Sequence, residues 1–256
     1  MLRKCRLCQL DKDLENSHAI PNSYFKRIFR QNNGKGKLLT PGVVEGKNTS
    51  ESFATSQLCN DCEKHLNETY EKYSIDALRG KHGNTKTTSH GVTFSNINVN
   101  TLRMFFISIF WRAAISDHQA YDQAVMPEEF YHNDTSEIIR AAIKDNNIIS
   151  SNLISIKLSR LTDNLYGFSN TVLKDFILLF FHRPYVNSNK VSVNFVIEGF
   201  LVTIIMPGLS VSEKRKDNIL DRKSSIFVAK FLEISKDPYL DAILPVTPRG
   251  AGANKS

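Results

Sequence analysis

Four cysteines constrain this chain more than any other feature. Cys5 and Cys8 form one Cys-x2-Cys pair, Cys59 and Cys62 form another, and fifty residues separate Cys8 from Cys59. Two residues between thiolates let both sulfurs grip one tetrahedral ion from a tight knuckle, and two such knuckles complete a four-sulfur zinc site. No further cysteine exists to compete and none is left over. The N-terminus MLRKCRLCQLDKD lacks the apolar core of a secretory signal, so a cytoplasmic location is expected, where thiols stay reduced and disulfides are rare. Neither pair opens a strand-helix unit of thioredoxin type, which disfavours a redox role. A structural zinc is the expectation.

The residues around each pair give the zinc a setting. After the first knuckle, a polar turn over Gln9–Asp13 leads into Leu14-Glu15-Asn16-Ser17-His18-Ala19-Ile20-Pro21, which reads as a short strand ending at the proline. The second knuckle runs directly into Leu66, Tyr70, Tyr73 and Ala77, spaced at three and four residues, with Gly80 to stop them. That predicts a helix over about 60–79. Knuckle, hairpin and helix in this order form a treble clef.

With Cys5-x2-Cys8, His18 ten residues on in Ser-His-Ala-Ile-Pro, and Leu58-Cys59-Asn60-Asp61-Cys62 opening a helix, residues 3–79 resemble the HNH endonucleases, the His-Me finger superfamily. The resemblance implies a ββα-metal fold and hydrolysis of phosphodiester bonds in nucleic acid, with DNA the expected substrate. It implies that His18 is the general base, a task suited to an imidazole titrating near neutrality. It further implies a catalytic magnesium or manganese ion. The family usually carries His or Asn after the last cysteine, where this chain has Glu63, a carboxylate adequate for magnesium. Asn67 lies one turn on, on the same helical face, whereas His65 points about 200° away from Glu63. Two departures stand out: Ser17 where Asp or His usually precedes the base, and Ser56-Gln57 where an Asn is usual. Similar small proteins serve as bacterial anti-phage or mobile-element effectors beside a partner such as an ATPase.

The chain is mildly basic, with 33 Lys and Arg against 26 acids. That balance suits a polyanionic partner. Residues 1–90 hold 15 of the bases and 10 of the acids, and no acid stands between Asn16 and Val44. Lys26, Arg27, Arg30, Lys35 and Lys37 interleave with Tyr24, Phe25, Ile28 and Phe29, as on a short amphipathic helix. The bases read either as phosphate contacts made by charge or as a solvated face over a packed aromatic stripe.

The remainder reads as a second unit, so the whole is α+β: a small zinc-stabilised ββα module over 1–80, then a mixed helix and sheet domain. Residues 81–98, rich in Gly, Thr and Asn, read as a loop or linker with His82 and His90 exposed. A core helix is expected over Val99–Tyr121 with Arg103 and Arg112 embedded in it. Trp111-Arg112 fits helix packing, a buried acid partner or a phosphate. A second helix is expected over Ser136–Asp145, and strands over Leu153–Leu158, Val191–Ile197 and Gly199–Met206. Phe176–His182 reads as strand or buried helix, residues 226–233 as a last short helix closing the 99–244 domain, and 245–256 as a mobile tail. The most apolar stretches, Phe176–Phe181 and Phe195–Met206, are too short to span a bilayer. Besides an endonuclease, the residues admit a non-catalytic zinc module that binds nucleic acid or a protein partner.

Overall fold

The computed structural model describes residues 2–38, 47–128, 134–185, 189–215, 219–220 and 226–243. The expected tail at 245–256 lies outside them.

The first knuckle closes a tiny hairpin in which β1 (Arg3–Lys4) pairs antiparallel with β2 (Asp11–Lys12). Gln9 takes a left-handed φ of 62° to turn the chain, and the Cys5 amide donates to the Leu10 carbonyl at 2.9 Å. β3 (Leu14–His18) then pairs antiparallel with β6 (Ala54–Cys59), with a bulge between Glu15 and Asn16. Between them lie α1 (Asn22–Gln31), which starts just after Pro21, and a short ribbon of β4 (Gly36–Leu38) with β5 (Lys47–Thr49).

β6 runs into the helix expected over 60–79. It consists of α2 (Asn60–Leu66), a π turn (Asn67–Glu71) and α3 (Lys72–Leu78) in unbroken succession, since Leu66 and Glu71 both keep helical dihedrals. Gly80, at φ 74°, stops it: the Lys81 amide reaches the Asp76 carbonyl and the Gly80 amide reaches Ala77, the paired bonds of a Schellman end.

The expected linker at 81–98 is instead a hairpin of β7 (Asn84–Thr87) and β8 (Gly91–Ser95) at one edge of a large sheet. β7 is exposed along its whole length, so it carries no alternation of apolar residues. Its threonines favour extended backbone all the same. β8 announces itself only through Phe94, which stacks on Phe227.

α4 (Val99–Ala114) is the spine of the molecule, with 13 of its 16 residues buried. Asn98 caps it by accepting from the Thr101 amide. Phe106 meets Phe195 of the sheet on one side, while Arg112 pairs with Glu71 of the π turn on the other. Arg103 donates to the carbonyls of Ile149 and Ile154, a connection just ahead of the sheet's central strand. α5 (Thr135–Lys144) packs beside it.

The sheet has seven strands in the order β10-β11-β12-β9-β13-β8-β7, with β9 at Ser155–Thr162, β10 at Leu178–Pro184, β11 at Val191–Ile197, β12 at Phe200–Met206 and β13 at Ile226–Glu233. β13 replaces the short helix expected over 226–233. It runs parallel to β9 and antiparallel to β8. Phe227, Ala229 and Phe231 alternate at the period of a strand. The closing helix comes later, at Pro238–Ile243.

One contiguous apolar core runs from Cys5 through α4 to Ala229. The expected division at residues 80–98 is therefore no boundary in the core. A polar tie reinforces the union. Glu198 and Gly199 form the two-residue turn between β11 and β12, both with positive φ. The Glu198 carboxylate, 3 % exposed, meets Arg27 of α1 at 2.5 Å and Arg79 at 3.2 Å. A Cβ at position 199 would lie 2.6 Å from the Arg160 guanidinium, which itself bonds the Glu198 carbonyl. The left-handed φ at 199 favours glycine, and a side chain there would press on that guanidinium.

Candidate metal centre and active site

The four cysteine sulfurs lie within 4.8 Å of one another, a cluster compatible with a zinc site. Tetrahedral zinc with Zn–S bonds of about 2.3 Å sets its sulfurs about 3.8 Å apart. The separation of Cys8 Sγ from Cys59 Sγ is 3.9 Å. The Cys59 amide donates to Cys5 Sγ at 3.3 Å, a bond that favours thiolate. Burial opposes ionisation of Cys5, but amide donors from Cys8, Cys59 and Leu7 bring its pKa down to about 7. Donor type and spacing fit the ion, while burial and the neighbouring Cys5 sulfur push the Cys59 and Cys62 thiols the other way, up. Cys59 ends β6 and Cys62 sits in the first turn of α2, so a shared ion would lock the β3–β6 pair against the helix.

Beside this cluster is a polar cavity of about 390 Å³ lined by His18, Pro21, Asn22, Asn60, Glu63, Lys64, Asn67, Glu71 and Arg112. The structure thus brings His18, Glu63 and Asn67 to one place. His65 lies outside it, with Nε2 3.0 Å from the Ile143 carbonyl oxygen. Ser17 is fully buried. Its hydroxyl accepts from the Leu58 amide at 3.1 Å, tying β3 to β6 at the bulge. It also supports the Glu63 carboxylate by a hydrogen bond.

His18 Nε2 is 2.9 Å from Ser52 Oγ. Burial is the main force lowering its pKa, and the Arg112 cation adds to it, while Glu71 and a bond to the Asn16 backbone oppose. The balance favours the neutral ring over the charged one. Ser52 is itself well held. Phe53 has a strained φ of 55° and packs against Phe25, His118 and Tyr121, and Glu51 pairs with His118 at 2.7 Å. Burial raises the Glu63 pKa despite the nearby Arg112 charge. Glu63 Oε1 is buried without a hydrogen-bond partner.

The sequence pattern does not reveal Ser52, Glu71 or the position of Arg112 relative to them. Glu71 is eight residues beyond Glu63, so on a regular α-helix it would overshoot two turns by about 80°. A π turn holds more residues per turn and takes up that excess. Glu63, Asn67 and Glu71 consequently share one face.

The oxygens of Glu63, Asn67 and Glu71 are hard donors suited to magnesium or manganese, and the orphaned Glu63 Oε1 offers a place for one. They are not gathered as the sulfurs are. Among the described residues, the four cysteines form the one group of three or more acid, histidine or cysteine ligands close enough to hold an ion.

Lys26, Arg30 and Lys35 are exposed and Lys37 lies in β4. Arg27 is turned inward instead, to Asp175 at 3.2 Å, to Glu198 and to the Lys174 carbonyl. A larger, more apolar cavity of about 520 Å³ between α1 and β10 contains neither His18 nor Glu63. Among the described residues, no helix is long and apolar enough to cross a membrane.

No known family model matches the chain, no curated protein matches it, and no solved structure matches it.

Proposed function

We propose that the chain is a metal-dependent endonuclease of HNH type that hydrolyses phosphodiester bonds, with DNA as substrate. The observation that carries the reading is the convergence of His18, Glu63 and Asn67 on one cavity next to the four-cysteine cluster. Zinc in that cluster serves structure, fixing the strand that bears the base against the helix that bears the acids. His18 takes the proton from the attacking water, held in place by Ser52 and the Asn16 backbone. Glu63 and Asn67, with Glu71 beyond them, would hold magnesium or manganese, which when bound polarises the phosphoryl group and steadies the leaving oxygen. Lys26, Arg30, Lys35 and Lys37 meet the phosphate backbone by charge. Arg27 is left out, because its guanidinium is engaged within the protein. A role in anti-phage defence beside a partner ATPase rests on the resemblance alone.

One observation favours the second reading, a zinc module that binds nucleic acid or a protein without cutting. Glu71 is paired with Arg112 rather than gathered with Glu63 around a vacant ligand cage. Nicking of supercoiled plasmid with manganese separates the two. The expected result is nicking by the wild type and a loss of about 100-fold or more in His18→Ala. Equal nicking by His18→Ala would remove that residue from the mechanism. Absence of cleavage of DNA and RNA, with retained binding, would establish the non-catalytic module.

A further inference from the structure

Arg112 is 1 % exposed on a helix whose adjoining residues, Phe110, Trp111 and Ala113, are all buried and apolar. Its Nη2 lies 2.6 Å from Glu71 Oε1. That contact is one of charge: Nη2 makes no aligned hydrogen bond, and Nε has only a long bond of 3.4 Å to the Ser108 carbonyl. Stability does not account for such a pair, since apolar residues of like volume commonly hold a core as well or better. The cavity does account for it. Arg112 forms part of the same wall as His18 and Glu63. A phosphodiester entering there meets the carboxylates of Glu63 and Glu71, and needs a fixed positive charge to be held against them. Lys64 is the other cation lining the cavity; it is exposed, 3.9 Å from Glu68. A guanidinium offers a planar fork of donors that matches two oxygens of a phosphate.

We propose that Arg112 is a substrate-binding residue that donates to a non-bridging oxygen of the scissile phosphate, sharing its charge between that oxygen and Glu71. This inference rests on the phosphodiester reading of the cavity and gives it its anion-binding element.

The test uses the full chain and four variants: Arg112→Met, Arg112→Lys, Glu71→Gln, and Arg112→Met with Glu71→Gln. Two quantities are read, kcat/KM for plasmid nicking and the affinity for inorganic phosphate by calorimetry. Arg112→Met is expected to lose roughly 10- to 100-fold in both, with partial recovery in Arg112→Lys. The double variant, in which no buried charge is left unpaired, should fold normally and, with no divalent metal added, bind phosphate as weakly as Arg112→Met, whereas Glu71→Gln alone should bind phosphate at least as tightly as the wild type. Recovery of nicking and phosphate affinity in the double variant would overturn the proposal, because the pair would then serve only to neutralise itself. Nicking by the wild type that is unchanged in Arg112→Met overturns it equally. Phosphate binding that depends on Arg112, in a protein that cuts nothing, would support the anion site and overturn the nuclease reading. A wild type that neither binds phosphate nor nicks would overturn both.

Discussion

The imidazole of His18 sits in a setting that makes its charged form costly. Burial and the Arg112 cation both act against protonation. The pH dependence of kcat/KM should therefore rise with a midpoint below the ordinary imidazole value of about 6.5. The same shift has a sign for stability. A base whose pKa is depressed on folding binds fewer protons folded than unfolded, so the protein loses stability as pH falls from about 6.5 through the lowered value. A pH–rate profile with its midpoint above 7 would show that the ring is more exposed than described. At this scale the cysteine cluster was legible beforehand, from thiolate chemistry at a fixed spacing. His18 and Glu63 were singled out by the family resemblance, and the structure lines one cavity with both. Ser52 could not be read, because its approach to His18 depends on a left-handed turn at Phe53. Arg112 could be seen as buried, but its partner lies 41 positions away, in the π turn.

Among the elements, the π turn decides which acids share a face. Its sequence, Asn67–Glu71, looks like ordinary helix, and periodicity cannot distinguish an α from a π turn in so short a stretch. Its extra residue makes a specific outcome expected. Deleting the exposed Glu68 should relax the turn to regular helix with Glu63 and Glu71 seven apart, within about 20° of each other. Nicking should persist and the urea midpoint should be unchanged or higher. Inserting an alanine after Glu68 should instead swing Glu71 away by about 100° and abolish activity. Equal activity in both variants would show that Glu71 has no part in the site. The strands misread from sequence failed for related reasons. β7 is a fully exposed edge strand without apolar alternation, and β13 has residues such as Lys230 and Leu232 that blur a period of two into one resembling a helix. Neither error touched the cavity, which is built from β3, the start of α1, the 60–78 helix and α4.

On the scale of the molecule, the four-cysteine cluster and the sheet belong to one core, where the sequence suggested two units joined by a linker. The apparent linker misleads because the shared apolar contacts are made by α4, far along the chain from the cysteines. Structural zinc contributes on the order of 10 kcal/mol or more to folding, comparable to the whole stability of a typical domain. Chelation should consequently unfold more than residues 1–79. Trp111, the single tryptophan, is 1 % exposed on α4 and reports on that core. Its emission should shift to the red together with loss of helical and strand circular dichroism, in one transition. Unchanged Trp111 emission after complete zinc removal would mean that the two parts fold independently. The tie at Glu198 carries a mechanical meaning as well. Arg27 fastens the basic helix to the tip of a sheet hairpin, so the helix that starts at Asn22 on the cavity wall is anchored to the sheet through its middle.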